Sequence, residues 1–263
     1  MPCIVYTADD EPSLNIAACL KEAMGFCEDG ELEGHRCFSS GKTRMIELAG
    51  HLFDAEYLNE LLDTDLIIFL SRHASEKGTA SFTTHSLGNW SGEAKFGGRA
   101  KCLSVSSPET MANVLRALER SNTTEIPVTY EATHHGPLLD TPSLFVELGG
   151  NGSVLSDRKL AGIVAKSVSD ALAAKAEYSK IAIGIGGTHY PDKFTKLALE
   201  GRYAFSHIMS RHYVENVDMI EDAVERSDKR AEIAVIEWKS IKAADRYKVI
   251  GKLNDLGIEY ERA

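Results

Sequence analysis

Four of the nine histidines stand just past the ends of apolar runs, where strands would deliver them to a common crevice. Asp65–Leu70 runs into Ser71-Arg72-His73, Pro127–Ala132 into Thr133-His134-His135-Gly136-Pro137, and Lys180–Gly186 into Gly187-Thr188-His189-Tyr190-Pro191. In open α/β sheets ligands bind outside the carboxyl ends of strands, so three strands sharing a sheet bring His73, His134, His135 and His189 together. Glu147 adds a carboxylate inside the apolar strand Phe145-Val146-Glu147-Leu148-Gly149, where acids are rare unless paired or bound to a cation. Imidazole and carboxylate donors suit zinc, which lowers the pKa of its water to about 7 and so makes hydroxide at neutral pH. The expected metal and catalytic set is a subset of His73, His134, His135, Glu147 and His189. His135 and His189 come first because each lies close to a glycine. Neither H-E-x-x-H nor H-x-x-E-H occurs, so the set rests on strand ends and not on a local motif.

Other chemistries find less support. Ser40-Gly41-Lys42-Thr43 mimics the end of a P-loop, but the earlier glycine is missing. Gly184-Ile185-Gly186-Gly187 follows a strand; its amides could cradle a phosphate or an oxyanion, or its glycines could serve tight packing. No serine nucleophile elbow is present. The five cysteines form no C-x-x-C pair and read as reduced thiols, mostly buried, of a cytosolic protein.

The elements that must position these groups alternate apolar β-branched runs with amphipathic stretches, the signature of a layered α/β domain with helices on both faces of a mixed sheet. Strands are expected at Ile4–Thr7, Arg36–Ser39, Arg44–Leu48, Asp65–Ser71, Lys101–Ser106, Pro127–Thr133, Ser143–Leu148, Lys180–Gly186, Ala231–Glu237 and Ile258–Glu261. Helices are expected near Ser13–Met24, Ala55–Leu62, Pro108–Ser121, Asp157–Lys175, Asp192–Leu199, Glu215–Ser227 and Ile241–Leu256. Ser106-Ser107-Pro108-Glu109 offers a capping box, and Ser156 precedes an apolar helical stripe. Glu76 to Ala100 refuses an element: it holds five glycines among Ser, Thr and His, and reads as a long functional loop carrying His85, Asn89 and Trp90 as substrate contacts. The whole chain reads as one domain, 1–263, with a small C-terminal module from about Val214.

A formal charge of −10 sits awkwardly with a phosphate-binding role, yet it hides an asymmetry. Arg158 to Arg211 holds nine Lys/Arg against four acids, a balance of +5 that leaves −15 elsewhere. That stretch, with Lys159, Lys166, Lys193 and Lys196, is the expected nucleic-acid face, and Arg72 could meet a terminal phosphate or ribose or form an ion pair. The N-terminus lacks a basic region followed by an apolar run, and about 18 consecutive apolar residues occur nowhere, so neither a signal peptide nor a membrane span is expected.

Five motifs standing in order give the chain a family likeness. Ser71-Arg72-His73-Ala74-Ser75, Thr84-His85-x-x-Gly88-Asn89, Thr133-His134-His135-Gly136-Pro137, Phe145-Val146-Glu147-Leu148-Gly149 and Gly184-Ile185-Gly186-Gly187-Thr188-His189-Tyr190-Pro191 together resemble the D-aminoacyl-tRNA deacylase family of archaea and plants. The likeness runs from Ile4 to about His212. It implies a monomeric, metal-associated cytoplasmic hydrolase with a peptidyl-tRNA hydrolase-like core, D-aminoacyl-tRNA as substrate, and free D-amino acid and tRNA as products. Ser206 departs from the glycine that often precedes the histidine of Tyr203-Ala204-Phe205-Ser206-His207. Two other readings compete: a metal-dependent amidohydrolase or phosphorylase acting on a small molecule, and a non-catalytic RNA-binding module. The second leaves the clustered histidines unexplained.

Overall fold

The computed structural model describes residues 1–74, 78–175 and 177–263. Ser75, which closes the first motif, and Glu76, which opens the expected loop, lie outside them. The strands are β1 (Pro2–Thr7), β2 (Cys27–Leu32), β3 (His35–Ser40), β4 (Thr43–Leu48), β5 (Leu66–His73), β6 (Ser81–His85), β7 (Gly88–Asn89), β8 (Cys102–Leu103), β9 (Val128–Tyr130), β10 (Ser143–Gly149), β11 (Lys180–Ile185), β12 (Tyr203–Met209), β13 (Ile233–Ile236) and β14 (Glu259–Arg262). The helices are α1 (Glu11–Met24), α2 (Leu58–Leu61), α3 (Pro108–Ser121), α4 (Arg158–Ala173), α5 (Asp192–Leu199), α6 (Ile220–Glu225) and α7 (Ala243–Asp255).

An eight-stranded mixed sheet runs in the order β2-β3-β4-β1-β5-β10-β6-β9, and a four-stranded parallel sheet in the order β12-β11-β13-β14. Within the larger sheet β5 and β10 are parallel, β10 and β6 antiparallel, and β6 and β9 parallel. Successive side chains point to opposite faces of a strand. Leu70, Val146, Leu148, Phe82 and Tyr130 therefore share one face and pack with Ile16, Leu20, Leu115 and Val164 of α1, α3 and α4. Ile67, Phe69 and Phe145 share the other face, covered by Leu52 and Leu58 from the segment around α2. That second cover is partial, which leaves room for a site. The two sheets are stitched where Ala132 N donates to His189 O (2.8 Å) and Thr133 N to Ile208 O (2.9 Å).

The helix-start signals were only partly used as expected. Asp10 caps α1 by accepting from Ser13 N, and Gly25 closes it at φ 67°, a left-handed position that favours glycine. The capping box does not form at α3. Ser107 Oγ turns to Thr110 and Asp228, while Glu109 is drawn to Lys229 and Tyr178. At α4 Asp157, one residue past Ser156, accepts from Lys159 N.

The larger correction concerns 76–100. Far from lacking elements, this stretch contributes β6 to the interior of the main sheet and β7, which pairs with β8. From Val214 onward, α6, β13, α7 and β14 complete the second sheet, with Ile220, Val249 and Ile236 in one core with Ile183 of β11. Ser206 is accommodated without a glycine, its single hydroxyl hydrogen shared between Ala182 O at 3.4 Å and Ala223 O at 3.3 Å. Among the described residues no helix is long and apolar enough to cross a membrane. Of the five thiols Cys3 and Cys37 are buried, while Cys27 is exposed against expectation.

Candidate active site

The partly open face of the large sheet carries polar groups where Phe69 and Phe145 would predict apolar ones. His73 of β5, Glu147 of β10, Thr83 and His85 of β6, and Glu131 just after β9 all follow the same alternation and meet there. The site thus lies on a sheet face, not in a crevice beyond parallel strand ends, because β6 and β9 run against β5. His189 does not come from this sheet at all. It follows β11 of the second sheet and is brought in by the stitch at Ala132.

Three imidazoles form the centre. His85, His134 and His135 have ring centroids 4.2, 4.4 and 5.0 Å apart, over the Phe145 ring. In each ring Nδ1 lies against a backbone carbonyl: Ser86 O at 3.1 Å, Ala132 O at 2.9 Å and Gly136 O at 2.6 Å. A carbonyl oxygen only accepts, so each Nδ1 carries hydrogen, and each Nε2 of a neutral ring keeps its lone pair. The donor atoms offered by the three lie within 4.8 Å of one another. His135 sits at φ 44°, a left-handed conformation uncommon outside glycine. It is held there by Gly88 N donating to its carbonyl (2.7 Å) and Gly136 N donating to Phe96 O (2.8 Å). Burial and the neighbouring imidazoles push His134 well down, and push His135 down to about 4. Both rings are therefore neutral at physiological pH, the state a metal requires. Burial acts the same way on His85, but Glu147 beside it outweighs that and raises it.

A second layer lies against the first. Glu131, fully buried, accepts from His189 Nε2 at 2.7 Å, and its carboxylate lies 3.0 Å from His73 Nδ1 and 3.6 Å from His134 Nε2. His73 Nδ1 is also 3.4 Å from Glu147, and its Nε2 meets the Tyr190 hydroxyl. Burial disfavours a charged His73, yet the two carboxylates prevail and raise it to about 11. In turn burial opposes ionised Glu131 and Glu147, while hydrogen bonds from the histidines hold Glu131 well below the carboxylate range and Glu147 down at about 2. Among the described residues of the site, His85 Nε2 and Thr83 Oγ1 are buried without a hydrogen-bond partner, whereas Glu131 Oε1 faces the His73 cation at 3.0 Å. Orphaned groups of this kind are uncommon in native proteins. A cation coordinated by the three Nε2 atoms would satisfy the first, competing with a proton for the same lone pair, so the donor set fits a metal.

Two cavities flank the cluster and share His73, Ala74 and His189 as their common wall. The smaller, about 530 Å³, contains His134, His135 and Glu147 with Asp9, Asp10, Arg72, Phe53 and Phe96. The larger, about 1010 Å³, is lined mainly by apolar groups such as Ala80, Pro127, Val128 and Leu199, beside Tyr190 and Lys196. His134 and His135 face the smaller one, while His85 lies buried behind them and lines neither.

The structure therefore brings together His73, His85, His134, His135, Glu147 and His189. His85 moves from substrate contact to the centre of the cluster. Glu131 was missed, although the signal that marked Glu147, a carboxylate inside an apolar run, is present in Pro127–Ala132. Arg72 takes its ion-pair alternative, with Nε 3.4 Å from Asp10 Oδ1 at the rim of the smaller cavity. Lys196 borders the larger cavity, whereas Lys193 approaches Glu237 at 3.9 Å. Asn89 does not face substrate; its Nδ2 donates to Gly97 O and Arg99 O. Trp90 is buried in the second core, donating to Thr133 O at 2.9 Å, and lines neither cavity. Trp90→Phe should therefore lower stability by about 1–3 kcal/mol through an unsatisfied carbonyl, read as a shifted denaturant midpoint. It should leave the ratio of rates on D and L substrates unchanged. The Gly184–Gly187 turn serves packing: Gly186 N donates to Met209 O, Gly187 N to Ser240 Oγ, and a Cβ on Gly184 would press on Phe194.

The D-aminoacyl-tRNA deacylase family model matches residues 60–261. The D-aminoacyl-tRNA deacylase of Pyrococcus furiosus is 34% identical over 270 residues, covering 99% of each chain. That of Ignicoccus hospitalis is 41% identical over 197 residues, covering 74% of this chain and 80% of its own. The crystal structure of a conserved protein of unknown function superposes with a TM-score of 0.92 at 31% identity, covering 100% of this chain and 95% of that one. With the family model matching residues 60–261 and a relative matching nearly end to end, the chain belongs to the D-aminoacyl-tRNA deacylase family.

Proposed function

We propose that the chain is a cytoplasmic hydrolase that cleaves the ester bond of D-aminoacyl-tRNA, releasing free D-amino acid and tRNA. The observation that carries the reading is the convergence of three carbonyl-anchored imidazoles, backed by buried carboxylates, with His134 and His135 lining the smaller cavity and His73 and His189 standing between it and the larger. An ester substrate has two arms, and this site has room for one on each side. Hydrolysis of D- against L-aminoacyl-tRNA, with free D-amino-acid esters as a third substrate, tests it. Release of amino acid from D-aminoacyl-tRNA in marked preference to the other two supports the reading; preference for the free esters favours a small-molecule enzyme.

Zinc is the cation that suits this donor set, with His85, His134 and His135 offering Nε2 atoms while backbone carbonyls orient the rings through Nδ1, and with Glu147 3.8 Å from His85 Nε2 as a further oxygen donor. When bound, such a cation supplies a hydroxide source near neutral pH and positive charge for the developing oxyanion. The chain's own groups handle protons. His189 Nε2 donates to Glu131, which fixes the ring and leaves Nδ1 to receive the proton of the attacking water and return it to the departing ribose oxygen. His73, held as a cation between Glu131 and Glu147, keeps both carboxylates ionised in a buried setting. Water attack at the carbonyl carbon, collapse of the tetrahedral intermediate and loss of the ribose oxygen complete the cleavage.

The expected basic stretch divides in three dimensions. Lys159 and Lys166 lie on α4, which packs on the sheet face opposite the site, and Lys166 is paired with Asp170. Lys193 and Lys196 lie on α5, which borders the larger cavity. Lys193→Glu with Lys196→Glu should raise KM and flatten its salt dependence, while Lys159→Glu with Lys166→Glu should do neither. Steady-state kinetics across a salt series checks both, and equal behaviour of the two pairs would refute the division.

A further inference from the structure

The smaller cavity opens past His135 onto aromatic rings that the proposed chemistry does not use. Phe53 lies 6.4 Å from the His135 ring, His51 stacks on Phe53 at 4.8 Å with planes 11° apart, and Phe96 meets Phe53 edge-on at 6.0 Å. All three line the cavity. Phe96 is 61% exposed and stands at the outer end of this row of three rings.

The backbone beneath Phe96 is nevertheless tightly held. Its carbonyl accepts from Gly136 N, and Asn89 donates to the next carbonyl at 3.0 Å. Gly97, at φ 69°, lies so close to Phe53 that a Cβ would come within 1.7 Å of Phe53 O. A Cβ on Gly136 would come within 2.2 Å of Gly98 N. Two glycines thus allow the 96–98 segment to pack directly on the segments that carry His135 and Phe53. The result fixes an exposed ring in register with the reacting centre, where a floppy loop would have let it fold away.

We infer that Phe96, with Phe53 and His51 behind it, is a stacking platform for the purine base of the 3′-terminal nucleotide. This rests on the reading that the 3′ end of a tRNA is the substrate. One ribose separates that base from the scissile ester, and one ring, Phe53, separates Phe96 from His135. Unpaired bases are held chiefly by stacking on aromatic side chains, an interaction that tolerates any base and needs no hydrogen-bond readout. Asp9 in the same cavity can accept from a ribose hydroxyl through the oxygen that Gly50 N leaves free, while Arg72 and Asp10 stay paired at the rim. The larger apolar cavity on the far side of His73 and His189 is then left for the aminoacyl side chain.

The test uses full-length protein and tRNA whose terminal adenosine is replaced by 2-aminopurine riboside, a base whose emission falls when it stacks. Wild-type protein should quench the probe. Phe96→Leu, which keeps apolar bulk and loses the ring, should abolish quenching and weaken binding about 5- to 150-fold, while Phe96→Tyr should restore both. With D-aminoacyl-tRNA, Phe96→Leu should raise KM by a similar factor, equally for small and aromatic amino acids, and leave kcat unchanged. Quenching by a wild-type protein that hydrolyses nothing would leave the platform standing and remove only the hydrolase reading. No quenching by wild type, quenching that survives Phe96→Leu, or a KM effect confined to aromatic amino acids would overturn the platform.

Discussion

His189→Ala should lower kcat on D-aminoacyl-tRNA by about 10²- to 10⁴-fold, the usual worth of a positioned general acid or base. KM and metal content should stay near wild type, because the ring bonds Glu131 and packs edge-on against His134 but supplies none of the three convergent nitrogens. Folding should survive, since the His189 side chain is 43% exposed and stands on a loop after β11. Glu131→Gln should reproduce part of the loss. An amide at 2.7 Å from Nε2 can present either a donor or an acceptor, so the ring loses its fixed tautomer although its position is kept. Single-turnover rates separate this chemical defect from slow product release. If His189→Ala turns over at the wild-type rate, the proton-transfer role falls.

His135→Ala should have the second large effect, and a different one. It removes one of three convergent nitrogens, so bound metal and activity should be lost together, with kcat down by at least about 10²-fold. His85→Ala should behave alike, although His85 is fully buried and its loss also leaves a cavity beside Phe145. The milder His85→Gln, with more of its volume kept, guards against reading misfolding as catalysis. Elemental analysis of each purified variant beside wild type distinguishes these two positions from His189. Metal retained by both variants would dissolve the three-imidazole assignment.

The reason some of this site could be read in the sequence, and some could not, lies in what a functional strand looks like. Helices with ordinary apolar stripes, such as α3 and α5, fall where their periodicity places them, to the residue. β6 does not. Ser81-Phe82-Thr83-Thr84-His85 is buried on both faces, but one face carries the site, so its outward alternation reads as a polar loop. β2, Cys27-Glu28-Asp29-Gly30-Glu31-Leu32, is an exposed edge strand whose charges discourage pairing with other chains and also erase the strand signal. β12 is another matter: Tyr203–Met209 is an apolar run bounded by Gly201 and Arg211, and its signal was present and passed over. Strand ends located His73, His134, His135 and His189 correctly as neighbours. The expectation that all three strands share a sheet held for β5 and β9 and failed for β11, because nothing local in the sequence says that β9 runs against β5 or that His189 belongs to a second sheet. Glu131 and Trp90 make the complementary pair. A carboxylate inside an apolar run was worth more attention, and a tryptophan among glycines less, since the indole there serves a buried hydrogen bond.

If a cation held by His85, His134 and His135 drives hydrolysis of the ester of D-aminoacyl-tRNA, activity must follow the metal. The direct measurement is zinc content and single-turnover deacylation on the same protein sample, before chelation, after it, and after zinc is returned. Activity that falls with the zinc and recovers with it is the expected result. Protein shown by elemental analysis to be metal-free, yet cleaving D-aminoacyl-tRNA at the full rate, would contradict it.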